Sequence, residues 1–207
     1  MKPAFLTFTG IDAGTDLARV ESLSNTYPIE WGVLFSPDRQ GQEPRSPAMS
    51  VIDNFRDLDV RKSAHLCGDY SKMVMKGHPL PVDFTGFERV QINSRKPDAK
   101  AIAGFAANNL LLGIMQTRDL EFPEDEGIAI LFDRSGGFGR PPEAWPKHPG
   151  GRLVGYAGGI SPENIQQVLE SVDSSGPYWL DMESGIRTDD MLDLDKCEAV
   201  AKAVYDQ

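Results

Sequence analysis

The sequence predicts an α/β fold, a single (β/α)8 TIM barrel spanning residues 1–207, on three observations. About eight short apolar or β-branched runs are bounded by glycine, proline or polar residues; helix-competent stretches lie between most of them; and 207 residues suit one barrel of this kind, which typically takes about 200 to 250. The runs fall at residues 5–8, 31–35, 64–67, 90–93, 111–116, 128–132, 153–157 and 178–181. Alternation of strand and helix implies parallel strands joined by right-handed crossovers, and eight of them close into a barrel.

Taken in order, the first helix falls at residues 16–24, with Asp12 and Asp16 as candidate caps for its start. The stretch at 36–50 reads as a long loop rich in glycine, proline and charge, leaving the C-terminal end of the second strand. A helix at 100–109 follows the fourth strand, and a second long loop, 134–150, follows the sixth. After the seventh strand, Ser161-Pro162-Glu163-Asn164 places serine at an N-cap, proline at the first helical position and acidic charge in the first turn, predicting a helix over 162–171. The last helix, 194–205, is capped by Asp193 or Asp195 and carries Ala199, Val200, Ala203 and Val204 at helical spacing, a stripe that reads as packing against the barrel.

Hydrophobic residues make up 40% and charged residues 25% of the chain, the range of an ordinary globular protein. A net charge of −10 disfavours nonspecific nucleic-acid binding, which depends on basic surface. No apolar run approaches the roughly 20 residues that cross a bilayer, and Met1-Lys2-Pro3-Ala4 leads into a core-like strand rather than a secretion signal, so the expected location is the cytoplasm, with no membrane partner. Cys67 and Cys197 form no C-x-x-C pair and no disulfide framework, and the histidines at 65, 78 and 148 have no metal-ligand spacing. With no G-x-G-x-x-G after an early strand, neither a metal nor a tightly bound cofactor is expected. The assembly is left open between a monomer and a homodimer.

The most informative motifs are two strand ends, Tyr156-Ala157-Gly158-Gly159 and Leu180-Asp181-Met182-Glu183-Ser184-Gly185. Each runs from a short apolar strand to glycine or serine and then to a helix start, so Gly158, Gly159, Ser184 and Gly185 offer backbone amides to an anion with little steric hindrance. Loops after the last two strands of such barrels commonly bind phosphate, which makes a small phosphorylated metabolite the expected ligand.

On these motifs the chain resembles phosphoribosylanthranilate isomerase, the small barrel enzyme of tryptophan biosynthesis. Ala157-Gly158-Gly159-Ile160-Ser161-Pro162-Glu163-Asn164 is similar to that family's S-G-G-L-N-P-E-N, and Asp181-Met182-Glu183-Ser184-Gly185-Ile186 to its D-V-S-S-G-V. Thr7-Phe8-Thr9-Gly10-Ile11-Asp12 is similar to its first-strand motif, His65-Leu66-Cys67-Gly68 to its Q-L-H-G strand end, and Leu131-Phe132-Asp133 with Gly136-Gly137-Phe138-Gly139 to its sixth strand and glycine-rich loop, with Trp145 in place of an aromatic further on. The family reaction is an Amadori rearrangement: an aminoaldose phosphate opens, loses a proton from the carbon next to the imine and becomes an aminoketose. The resemblance implies that Asp133 is the acid. At the place of the family's cysteine base stands Thr9, the family lysine two positions earlier is replaced by Thr7, and Glu183 replaces a serine beside the phosphate loop.

A threonine hydroxyl is a far weaker base than a thiolate, so the base must be sought elsewhere. His65 and Cys67, two apart on one strand face, share the candidacy with their bland reading as packing residues. Asp133 ends an apolar strand, which suits catalysis or a cap of the following loop, over which Gly136 and Gly137 supply freedom. Asp181 and Glu183 share a face; Glu183 is either a catalytic or substrate contact or an ion-pair partner of an arginine such as Arg187. Arg45 resembles the family arginine that meets a substrate carboxylate, with Arg39 as its rival, and Gln91, Asn93 and Gln116 end other strands as polar contacts. The leading expectation is an enzyme that isomerises a small phosphorylated metabolite by acid-base proton transfer. The alternative is a noncatalytic protein that retains the phosphate site. A lyase using a Schiff-base lysine ranks last, because no strand ends in a suitable lysine.

Overall fold

The computed structural model describes residues 1–124, 127–135 and 139–206. Eight parallel strands close in sequence order into a barrel: β1 (Leu6–Thr9), β2 (Ile29–Phe35), β3 (Lys62–Leu66), β4 (Arg89–Ile92), β5 (Leu112–Thr117), β6 (Ala129–Asp133), β7 (Val154–Ala157) and β8 (Tyr178–Met182). The ring is completed where Leu6 of β1 pairs with Leu180 of β8. Six helices lie between strands or after the last one: α1 (Leu17–Thr26), α2 (Met49–Arg56), α3 (Gly68–Met75), α4 (Ala99–Asn108), α5 (Ile165–Ser171) and α6 (Leu194–Tyr205). A 3-10 turn, Ser184–Ile186, and the two-residue strands β9 (Arg187–Thr188) and β10 (Met191–Leu192) connect β8 to α6. Among the described residues no helix joins β5 to β6 or β6 to β7, and Leu112 at the start of β5 is two-thirds exposed at 66%. No helix of the described residues is long and apolar enough to cross a membrane.

The predicted strands each lie on an observed one, because strands buried on both faces read as continuous apolar runs. Asp16 caps α1 by accepting from the amides of Ala18 and Arg19, and Asp193 caps α6. Asp12 is not the α1 cap: it is buried against Arg187 and the Leu192 amide. The helix predicted from Pro162 begins three residues later, at Ile165. The reason is Asn164, whose Oδ1 accepts from the Ser161 amide at 2.9 Å and whose Nδ2 donates to the Gly159 carbonyl at 2.7 Å, so residues 161–164 form a turn that braces the glycine loop.

Two apolar layers hold the fold. The larger fills the space between strands and helices, with Phe8, Trp31, Phe35, Phe55 and Phe132 all fully buried. The smaller, formed by Phe5, Ile114, Leu131, Ala157 and Trp179, lies inside the barrel. Trp179 fits there because β7 offers Gly155, whose Cβ would otherwise lie 2.6 Å from Leu131 Cδ1 and closer still to the indole. The same interior holds charge: Glu30 accepts from Arg89 at 3.0 Å, Arg61 at 3.0 Å and Thr7 at 3.0 Å. The Arg89 guanidinium lies 4.3 Å from the Trp179 ring centroid. A buried ion pair is tolerable only when its remaining hydrogen-bonding capacity is met, and this cluster of hydrogen bonds and ring faces meets much of it.

Candidate active site

The C-terminal strand ends converge on a pocket lined by Thr9 of β1, His65 of β3, Gln91 of β4, Asp133 of β6 and Asp181 of β8, with the loops after β7 and β8 on one side. Parallel strands all point the same way, so their last inward residues meet at one mouth. Gly32 of β2 makes the pocket possible. A Cβ there would lie 3.0 Å from His65 Nε2 and collide with Thr9 Oγ1.

Asp181 is 6% exposed, and its Oδ1 accepts a 3.0 Å hydrogen bond from Thr9 Oγ1. Burial, reinforced by the charges of Glu30, Asp133 and Glu183, pushes its carboxyl up to about 8, against the pull of the Thr9 hydrogen bond. Asp133 accepts from Ser135 Oγ at 2.6 Å and from Gln116 Nε2 at 3.5 Å. Ala157 is the register partner of both Asp133 and Asp181, so the two carboxylates flank one small side chain on three adjacent strands.

His65 Nε2 lies 2.9 Å from Ser63 Oγ, and Nδ1 lies 3.3 Å from Gln91 Nε2. Burial pushes the ring down to about 4, so it is neutral at pH 7 and both nitrogens are engaged. The Cys67 sulfur accepts from Asn93 Nδ2 at 3.2 Å, and burial raises the thiol to about 11. These contacts suit holding the pocket wall more than abstracting a proton. Gln91 Oε1 is buried with no hydrogen-bond partner among the described residues and is available to a ligand hydroxyl.

Glu183 pairs with Arg45 at 3.3 Å rather than with Arg187, which is committed to Asp12 at 3.3 Å. Burial raises the Glu183 carboxyl while Arg45 and Arg187 oppose the rise. Arg45 also binds Asp190. The sequence-predicted phosphate residues come together: a Cβ on Gly185 would collide with the Ile160 carbonyl oxygen and lie 2.8 Å from Ser161 Cβ, so the β7 and β8 loops touch. Gly158 and Gly159 have φ of 121° and 64°, conformations that favour glycine. Ser184 and Gly185 open the 3-10 turn, so their amides have no carbonyl within it to bond. Residues 139–142 lie against these loops, with Pro141 N 2.6 Å from the Cβ position of Gly159. Gly136 and Gly137 lie outside the described residues. Sequence reasoning missed Gly32, Ser63 and Ser135, which carry no motif and gain meaning only from what packs against them.

Residues 143–203, which include both glycine-bearing strand ends, match the family model for N-(5'-phosphoribosyl)anthranilate isomerase. Over that segment the chain is similar to phosphoribosylanthranilate isomerases. Its barrel is similar to that of a phosphoribosylanthranilate isomerase solved with reduced 1-(o-carboxyphenylamino)-1-deoxyribulose 5-phosphate, at 15% identity and a TM-score of 0.64 over 100% of both chains. It is also similar to monomers generated from the dimeric phosphoribosylanthranilate isomerase of Thermotoga maritima, at 14% identity and a TM-score of 0.63 over 100% of both chains. The Pyrococcus furiosus isomerase gives 14% identity and a TM-score of 0.65 over 98% of this chain and 99% of that one. At these identities the likeness is one of fold. No curated protein gives a significant sequence match. The likeness is therefore one of barrel fold throughout and of sequence over residues 143–203.

Proposed function

We propose that the chain is an isomerase of a small phosphorylated metabolite, holding the phosphate across Gly158, Gly159, Ser184 and Gly185 and moving protons with Asp181 and Asp133. The observation that carries this reading is the pair of carboxylates flanking Ala157, beside loops that offer backbone amides to an anion. An Amadori-type rearrangement needs one donor and one acceptor. With its carboxyl raised to about 8, Asp181 is protonated at neutral pH and protonates the ring oxygen as the aminoaldose opens. Thr9, hydrogen-bonded to Asp181, orients the donor instead of replacing the family's base. Asp133, held by Ser135 and Gln116, accepts the proton from the carbon next to the imine, and a proton returned to the imine carbon completes the aminoketose. Donor and acceptor thus sit on opposite sides from the arrangement the resemblance implies.

The test is conversion of phosphoribosylanthranilate, followed chromatographically, by wild type, Asp181→Asn and Asp133→Asn. Each substitution is expected to lower kcat by about a hundredfold or more with KM changed only a few-fold. Wild-type kcat is expected to fall as pH rises through about 8, as the donor ionises. A rise through the same range would assign Asp181 to the base role. The second reading, a noncatalytic phosphate-metabolite binder, is favoured by Thr9 at the place of the reactive cysteine. It requires no turnover by wild type together with stabilisation by phosphorylated ligands.

A further inference from the structure

Beside the carboxylate pocket, on the β2 to β5 side of the barrel mouth, lies a second cavity of about 430 Å3. The two share Asn93, Gln116 and Glu183 in their walls, so a single ligand can occupy both. Arg39, Arg45, Arg95 and Arg118 line the second cavity against one carboxylate, that of Glu183. This is a concentration of positive charge on a chain whose net charge is −10. Arg45 and Arg39 are partly neutralised by Glu183, Asp190 and Glu43. Arg95 and Arg118, following β4 and β5, have no hydrogen bond or ion pair among the described residues.

We infer that this cavity takes a second phosphate group, so that the best substrate is phosphorylated at both ends and phosphoribosylanthranilate turns over as a poorer one; the inference rests on the phosphate-clamp reading of the β7 and β8 loops. The wall chemistry distinguishes a phosphate from an aryl carboxylate. Among the described residues Leu34 is its one aliphatic side chain and no aromatic side chain lines it, so a benzene ring would find little apolar surface. Ser36, Ser46 and Ser94 supply hydroxyls in their place. Gly68 begins the eight-residue helix α3 at the cavity wall, and Cys67 at its N-cap makes no side-chain capping hydrogen bond, leaving the first amides of that helix for an anion. Unpaired guanidinium groups, hydroxyls and a helix start together match the several acceptor oxygens of a dianion.

Calorimetric titration with inorganic phosphate, ribose 5-phosphate and benzoate tests the inference. Wild type is expected to take two inorganic phosphates per chain. The Arg95→Gln/Arg118→Gln double variant should take one and still bind ribose 5-phosphate at the β7 and β8 loops. Ser184→Asp, which sets a like charge in the exposed clamp loop, should lose the other phosphate and keep the arginine site. Both variants alter exposed side chains, so a shared folding failure is not expected, and an unchanged melting temperature checks it. A single phosphate site per chain that the arginine substitutions leave intact overturns the inference while preserving the clamp. Benzoate displacing phosphate from the arginine site at lower concentration than phosphate itself requires overturns it in favour of an aryl carboxylate. A wild type that takes a single phosphate, at the arginine site and not at the β7 and β8 loops, sinks the earlier reading and with it a substrate phosphorylated at both ends.

Discussion

Asp181 carries the heaviest electrostatic load of any single residue in the site. It is buried, it faces the charges of Glu30, Asp133 and Glu183, and it accepts a hydrogen bond from Thr9. Its folded pKa, about 8, stands above the unfolded value near 3.9, so the folded state binds the extra proton between those limits. The stability this contributes is full below about pH 4 and is lost as pH rises to about 8. Urea unfolding at a series of pH values should therefore show wild type losing stability across that window, with Asp181→Asn showing a shallower decline. Equal slopes would mean that Asp181 ionises freely in the fold. At this scale the sequence made the acidic strand ends legible, since a carboxylate after an apolar run is costly to bury without purpose. Gly32 was illegible, because a glycine within a strand reads as a weak strand position until Thr9 and His65 are seen to occupy the space its side chain would take.

The β7 and β8 loops act as one element. Gly185 permits the contact with Ile160 and Ser161, and Asn164 ties the glycine turn from the other side. Gly185→Ala should therefore cost about 1 to 3 kcal/mol in urea unfolding and weaken phosphate binding together with it, as forced overpacking does. A variant as stable as wild type would show that the loops have slack. The strands were legible because each is a short apolar run between breakers, while α2 and α3 were not. The start of α2 lies inside a stretch whose glycine, proline and charge read as loop, and α3 opens on Gly68, with φ of 59°, after an N-cap cysteine that makes no capping hydrogen bond. The delayed start of α5 had a similar cause: serine and proline gave a sound capping signal, but Asn164 spends its side chain on the turn before the helix.

Across the whole molecule the barrel separates two kinds of charge. Toward the N-terminal ends of the strands, Glu30, Arg61 and Arg89 are locked together beneath Phe5 and Trp179. Glu30→Gln leaves the Arg89 guanidinium, 2% exposed, without its counter-ion and should cost about 3 to 5 kcal/mol in urea unfolding, with the mouth of the barrel unaltered in ligand affinity once folded. At the C-terminal ends, the carboxylates stand between backbone amides on one side and arginines on the other. That arrangement is the central claim: the anion is held by the loops while Asp133 and Asp181 move protons. The most direct measurement is thermal unfolding with and without ribose 5-phosphate for wild type, Ser184→Asp and Asp133→Asn. A ligand that binds only the folded state at 100 times its Kd stabilises by about 2.7 kcal/mol, enough to move a melting temperature by several degrees. The account predicts such a rise for wild type and Asp133→Asn and a smaller one, from the arginine site alone, for Ser184→Asp. A rise that Ser184→Asp leaves undiminished, or no rise in wild type, would contradict it.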